Sequence, residues 1–468
     1  MEDKNTLGTA PVGRLMVQLA VPAIVAQLVN ALYNIVDRIY IGHIEEVGDI
    51  ALTGLGLCFP ILMLVSALAA LLGVGGGSRA AICMGEGDTG AAERILGNCA
   101  ATTLVISAVV TVLLQAVKTP MLYLFGASGN TIGYAQDYLG VYLWGTLFVQ
   151  VALGLNNFIT TQGFSAFSMA TVLIGAGINI VLDPVFIFGL DMGVRGAALA
   201  TVIAQGASAV WVLAFLLGKR TKLKLRPGYF RLEARVLLPV AAIGVSPFIM
   251  QSTESLVNIC FNASLSRYGG DSAVGAMTIC SSVMMVMSMI FQGLAQGAQP
   301  IVGYNYGAGA LDRVKKAFRL LFISGVAYAL AGWGLLQLFP QVFVGMFNDK
   351  PELVEIGVWA LKIYTGCFFM MGVQFSCQQT FVALGQARTS LFLALLRKII
   401  LLIPLIFLLP HVVGAFSPAL PEFANEKVFG VFLAEPVADF LAAAATGTIF
   451  FTRFPGILAR RAAELEGR

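Results

Sequence analysis

Residues 21–40 read VPAIVAQLVNALYNIVDRIY, and residues 247–262 read PFIMQSTESLVNICFN. Each is part of a membrane-length apolar run with amide and acidic residues down one side. The first copy holds Gln27, Asn30, Asn34 and Asp37; the second, about 220 residues later, holds Gln251, Glu254 and Asn258, with Asn262 one turn further on. Residues three and four apart share a helix face. Lipid cannot hydrogen-bond such a face, so it should turn toward protein or a water-filled cavity. Two matching wet stripes predict a polar cavity between two halves, an anatomy suited to transport.

Composition agrees. The chain has 468 residues, 58% hydrophobic and 12% charged, with a mean hydropathy of +0.85. A soluble domain carries roughly twice that share of charge. The start, Met1 to Gly13, is polar, and the apolar run from Leu15 is too long for a signal peptide, so it should remain as a helix. The seven cysteines form no CxxC pair and read as small buried hydrophobes. Two histidines argue against a histidine-rich metal site, and a net charge of +4 does not suggest nucleic acid.

Twelve spans are expected, at about 15–41, 50–76, 95–117, 134–159, 166–189, 193–218, 236–263, 273–298, 315–339, 355–384, 389–410 and 428–451. Basic residues gather in alternate connections: Arg79 and Arg94, then seven Lys and Arg residues within 219–235, then Arg313, Lys315, Lys316 and Arg319, then Arg388. The tail adds Arg453, Arg460, Arg461 and Arg468. The positive-inside rule then places both termini in the cytoplasm. The basic stretch 219–235 sets orientation or meets anionic lipid headgroups.

The halves repeat letter by letter. Gly85-Glu86-Gly87 followed by Arg94 matches Gly307-Ala308-Gly309 followed by Lys316. Gly163 with Ser168 matches Gly385 with Ser390, and Asn156-Asn157 matches Gln378-Gln379. The stretch from Gly196 to Gln205 matches that from Gly430 to Asp439. Several coincidences at nearly one offset mean duplication, and secondary transporters bind substrate at such a repeat interface. The predicted fold is an all-α integral membrane protein with twelve transmembrane helices in two pseudo-symmetric six-helix bundles around a central cavity. Residues 1–218 form the N-terminal lobe, 219–235 a basic cytoplasmic linker, and 236–468 the C-terminal lobe with a short cytoplasmic tail.

The sharpest local motif is Asn179-Ile-Val-Leu-Asp183-Pro184 in span five. Asn179 and Asp183 share a face, and Pro184 disturbs the helix locally. A carboxylate in hydrocarbon is costly, so Asp183 should face the interior and exchange a proton or hold Na⁺, or else serve structurally at a broken helix. Asp37 belongs to the ion pathway or pairs with Arg38 near the headgroups. Glu254 lies mid-span; Glu435 and Asp439 flank Pro436 on one face and would repel if ionised together, so one should be protonated or cation-bound, or else the two make a structural polar contact between the halves. Arg397 and Lys398 can neutralise an acid, but spacing does not say which. Met284, Met285, Met287 and Met289 pack as ordinary helix residues or offer an adaptable surface to apolar ligands. Asn156, Asn157, Gln374, Gln378 and Gln379 are further candidates to line the cavity. With no GxxxxGK[ST] loop and no HExxH motif, energy should come from an ion gradient.

These features resemble the multidrug and toxic compound extrusion (MATE) family over essentially the whole chain. Pro22 with Asn34-Ile-Val-Asp37 is similar to its first-helix pattern, and Asn179 to Pro184 to its fifth-helix motif. Glu435-Pro436-Val-Ala-Asp439 resembles the last-helix pattern of a branch similar to staphylococcal multidrug exporters. The resemblance implies efflux of cationic amphipathic drugs, hence xenobiotic and antibiotic resistance, against an inward H⁺ or Na⁺ gradient. It maps a cation or proton-coupling site onto Asp37, Asn179, Asp183 and Thr201. A second site in some members uses acids in the seventh and tenth helices; Glu254 fits the seventh, and span ten has no acid after Glu355. The expected protein is a multi-pass monomer of the bacterial inner membrane, with no cofactor beyond its coupling ion. A lipid-linked sugar flippase would need basic residues facing the cavity. An intramembrane enzyme would need a nucleophile–base or metal pair, and a receptor an extramembrane ligand domain.

Overall fold

A computed structural model describes residues 6–347, 351–413 and 425–466, and the described residues form helices and their connections with no strand. Arg468, counted with the basic tail, lies outside them. In hydrocarbon a backbone must satisfy its own hydrogen bonds, so each apolar run becomes a helix. In order these are α1 (Val12–Gly42), α2 (Gly48–Gly85), α3 (Thr89–Leu124), α4 (Ile132–Thr161), α5 (Ser165–Gly189) and α6 (Gly193–Leu217). The second half comprises α7 (Ala234–Gly270), α8 (Ser272–Gly307), α9 (Leu311–Leu338), α10 (Leu353–Tyr364 with Phe368–Ala383), α11 (Ala387–Val412) and α12 (Glu426–Glu466). Gly270, at φ 64°, turns α7 directly into α8 without a loop.

The twelve expected spans are recovered when α10 is taken as one span broken by a 41° bend. Its apolar pattern runs through the break, so the sequence showed a single helix. The carbonyls near the bend find donors on α9: Trp333 Nε1 donates to Gly366 O at 2.9 Å and Gln337 Nε2 to Lys362 O at 2.8 Å. Several helices outrun their apolar stretch. α12 has 41 residues, against the ~20 that cross a bilayer. Wide π-helical turns occupy Val151–Leu155, Val185–Gly189 and Leu396–Leu402. The second follows Pro184, which supplies no backbone donor, and the third carries Arg397 and Lys398.

The basic stretch after α6 is docked rather than loose. The side-chain oxygen of buried Gln162 accepts from the Lys222 and Leu223 amides and the Thr221 hydroxyl at 2.6–2.9 Å. Arg226 pairs with Glu93 at 2.6 Å, and Asn98 Oδ1 accepts from the Glu233 amide at 2.8 Å. Leu223, Leu225 and Val240 of α7 complete an apolar core formed mainly by α2, α3, α4 and α6. One core draws only on the first half and another only on the second. A fourth crosses over, joining Leu7, Leu15 and Leu19 to Phe318, Phe381 and Phe450.

The halves meet at the end of the molecule that carries Leu7 and Arg461. Gln299 Nε2 donates to the Ser78 hydroxyl at 2.7 Å, Arg313 to the Ala10 carbonyl at 2.7 Å, and Arg461 to Glu86 at 2.7 Å. Backbones touch here: a Cβ on Gly244 of α7 would overlap the Leu71 carbonyl of α2. Such approach is the usual substitute for a hydrophobic force between helices in lipid. Gly244→Val should therefore cost about 1–3 kcal/mol by overpacking, read as a lower Tm of the detergent-purified protein. Gly56→Val, with open space around it, is the control and should leave Tm unchanged.

Candidate functional site

Two groups of acids are assembled, one in each half. In the first, α1 brings Asp37 to Asp183 on α5, and their carboxyl groups lie within hydrogen-bond reach of each other. Asp37 is 7% exposed and Asp183 0%. Asn179, one turn before Asp183, donates Nδ2 to Asp183 Oδ1 at 3.2 Å and to Thr201 Oγ1 on α6 at 3.3 Å. The Thr201 hydroxyl donates to the Ala197 carbonyl at 3.1 Å. The structure thus brings together Asp37, Asn179, Asp183 and Thr201. It adds residues that sequence reasoning passed over: Tyr138 of α4 lies beside Thr201, and Tyr33 of α1 beside Gln205 of α6. A signal existed, since Tyr33 is four residues before Asp37 and Gln205 four after Thr201.

Among the described residues neither Asp37 nor Asp183 forms an ion pair with a basic side chain. Asp37 Oδ1, Asp183 Oδ2 and Asn179 Oδ1 are all buried without a hydrogen-bond partner. Two touching carboxylates in dry surroundings do not both stay ionised unless positive charge lies between them. The arrangement suits one shared proton, or one small cation with oxygen ligands.

The second group is built differently. Arg397 of α11 pairs with Glu435 at 3.0 Å and Asp439 at 2.7 Å, both on α12. Its neighbour Lys398 pairs with Glu254 of α7 and donates to the Met250 carbonyl at 2.8 Å. The structure thus assigns each basic residue its acids: Arg397 bridges the two that would otherwise repel. In the repeat alignment Glu435 corresponds to Thr201 and Asp439 to Gln205. The same two positions of the sixth helix in each half therefore carry neutral groups in one half and acids in the other.

Other candidates are spread around these groups. Gln27 and Asn30 are half-buried, and exposed Asn34 donates to the Asn30 carbonyl at 2.6 Å. Gln251 is half-buried, and Asn258 accepts from the Ser281 hydroxyl at 3.4 Å. Gln374 donates to Gln378 at 3.0 Å, and Gln378 to the Met250 sulfur at 3.3 Å. These amides thus connect α10 to the residue whose carbonyl takes Lys398. Asn156 is tied to α5, donating to Ser168 O at 3.2 Å and accepting from the Thr171 hydroxyl at 2.9 Å. Asn157 donates to the Leu153 carbonyl in its own helix at 3.0 Å. Met284 packs on the core of the second half, and Met287 takes the Tyr328 hydroxyl on its carbonyl at 3.0 Å.

The MatE family model matches residues 22–185 and 247–408, one segment in each half. The chain is 24% identical over 429 residues to the multidrug export protein MepA of Staphylococcus haemolyticus strain JCSC1435, spanning 92% of each protein. It is similar to the crystal structure of MATE in the bent conformation with a TM-score of 0.89, covering 99% of this chain and 100% of that one at 22% identity. A solved structure described only as protein A is 35% identical, with a TM-score of 0.87 over 97% of this chain and 98% of that one.

Removing one partner of a buried ion cluster strands the others. Arg397→Gln leaves Glu435 and Asp439 facing each other and should cost about 3–5 kcal/mol at neutral pH. The double change Glu435→Gln with Arg397→Gln removes one of the stranded charges and should recover part of that loss. Thermal unfolding of the purified variants measures both.

Proposed function

The chain belongs to the MatE family of membrane transporters, and from that premise we propose that it exports small cationic amphipathic compounds by antiport with H⁺ or Na⁺. It is a multi-pass membrane transporter and not an enzyme. The observation that carries the coupling is the contact between Asp37 and Asp183, buried together without a basic partner. The contact joins α1 to α5, so its occupancy by a positive charge decides whether these helices attract or repel. An ion that binds one arrangement of helices better than the other shifts the balance between them, and a drug does the same at its own site.

Lobes 1–218 and 236–468 are the bodies that rock, with 219–235 docked on the first. With both termini in the cytoplasm of a bacterial cell, the end where Gln299, Arg313 and Arg461 join the halves faces inward. In the outward-facing state Asp37 and Asp183 take up H⁺ or Na⁺ from outside. The rearrangement at Pro184 and the wide turn after it loosens drug binding and favours return to the inward-facing state. Glu254, Gln27, Asn30 and Asn34 supply polar contacts to the substrate, and methionine and aromatic surfaces tolerate varied shapes. The flippase alternative needs unpaired positive charge for a pyrophosphate, whereas Arg397 and Lys398 are both engaged by acids. The chain is read as a monomer, with lipids as its surroundings.

Uptake of a fluorescent organic cation into everted vesicles tests this reading. A proton gradient alone, then a sodium gradient alone, identifies the coupling ion. Asp183→Asn should abolish gradient-driven uptake while leaving the protein folded and inserted. Wild-type rates in that variant would refute the assigned role.

A further inference from the structure

Lys398 and Glu254 are unequal partners. The lysine side chain is 8% exposed, the glutamate 55%. The carboxylate thus stands on the accessible side with the ammonium behind it, braced on the Met250 carbonyl at 2.8 Å. The neighbouring base Arg397 serves Glu435 and Asp439 and is their one ion-pair partner among the described residues. Three carboxylates therefore face two bases. With every group ionised, the cluster carries one surplus negative charge. One acceptor in the cluster stands free: Glu435 Oε2 is buried without a hydrogen-bond partner. Lys398 is near enough to interact electrostatically with both Glu435 and Asp439.

Building on the proposed export of cationic compounds, we propose that Lys398 is a tethered cation occupying the substrate position at Glu254, and that an organic cation binds the second half by displacing it. The incoming charge meets the exposed carboxylate. The released ammonium turns to Glu435, whose free oxygen accepts it. No covalent bond changes, and no buried charge is left unmatched, because the added positive charge neutralises the surplus. The two neighbouring bases divide the work according to their chemistry. A guanidinium forks across two acids and stays, as Arg397 does; an ammonium on a flexible four-carbon stem can change partners, as Lys398 must. A weakly hydrated organic cation suits this exchange, since it gives up its water readily and takes only the exposed face of Glu254.

The test is equilibrium binding of tetraphenylphosphonium to the detergent-purified full chain, without any gradient. Removing the competitor in Lys398→Gln should tighten binding about fivefold, the factor equivalent to the ~1 kcal/mol of a partly exposed ion pair. Glu254→Gln should weaken binding and cancel the gain in the double variant. Glu435→Gln, a position that does not touch the probe, should also weaken binding, because the lysine loses the acceptor it moves to. Unchanged or weaker binding in folded Lys398→Gln overturns the proposal. Should Lys398→Gln fail to fold, wild-type affinity in Glu435→Gln overturns it instead. Absence of probe binding in wild type and every variant overturns it together with the cationic substrate class. Wild-type transport rates in Asp183→Asn, with these binding differences intact, leave it standing and count against the coupling role of Asp183.

Discussion

Hydrocarbon offers no hydrogen bonds and no counter-ions, and this one constraint organises the molecule. Every backbone group must be satisfied within a helix or by a neighbouring side chain, as at the bend of α10, where α9 supplies the donors. Every acid drawn inside must be matched by positive charge. The two halves meet that demand in opposite ways. The first leaves Asp37 and Asp183 without a basic partner among the described residues. The second supplies Arg397 and Lys398 from its own chain.

Duplication explains how one architecture hosts both solutions. The sixth helix of each half presents two positions, one turn apart, to its polar group: Thr201 and Gln205 in the first, Glu435 and Asp439 in the second. The wide turn Leu396–Leu402 then aims two consecutive basic residues at different acids, Arg397 toward α12 and Lys398 toward α7. Consecutive residues of a helix already point about 100° apart, enough to send the two bases to different neighbours. The second half thus carries bases of its own beside its acids, whereas Asp37 and Asp183 have no basic partner among the described residues. That division is what coupling asks for, since an ion shifts a conformational balance only where its binding differs between states.

Small residues hold the halves together at one end. Where α2 meets α7, glycine replaces the side chains that would keep backbones apart, and the polar bonds of Gln299, Arg313 and Arg461 cluster at the same end.

Much of this was legible in the sequence. Composition and apolar length specified the spans, because a bilayer imposes one length on every crossing helix. Spacing of four placed Asn179 and Asp183 on one face, and repeated letters revealed two halves. Spacing does not reach across helices, however. That Asp37 touches Asp183, that Tyr33 and Tyr138 border the same group, and that Asn156 bonds to α5 all depend on how helices pack. The same holds for the bend in α10, where apolar periodicity runs on unbroken, and for the docking of 219–235 through Gln162, where only a charge run was visible. Which acid each base serves was decided by tertiary structure alone: a sequence records the residues that carry charge, but pairing energy depends on distances between chain segments 38 to 144 residues apart.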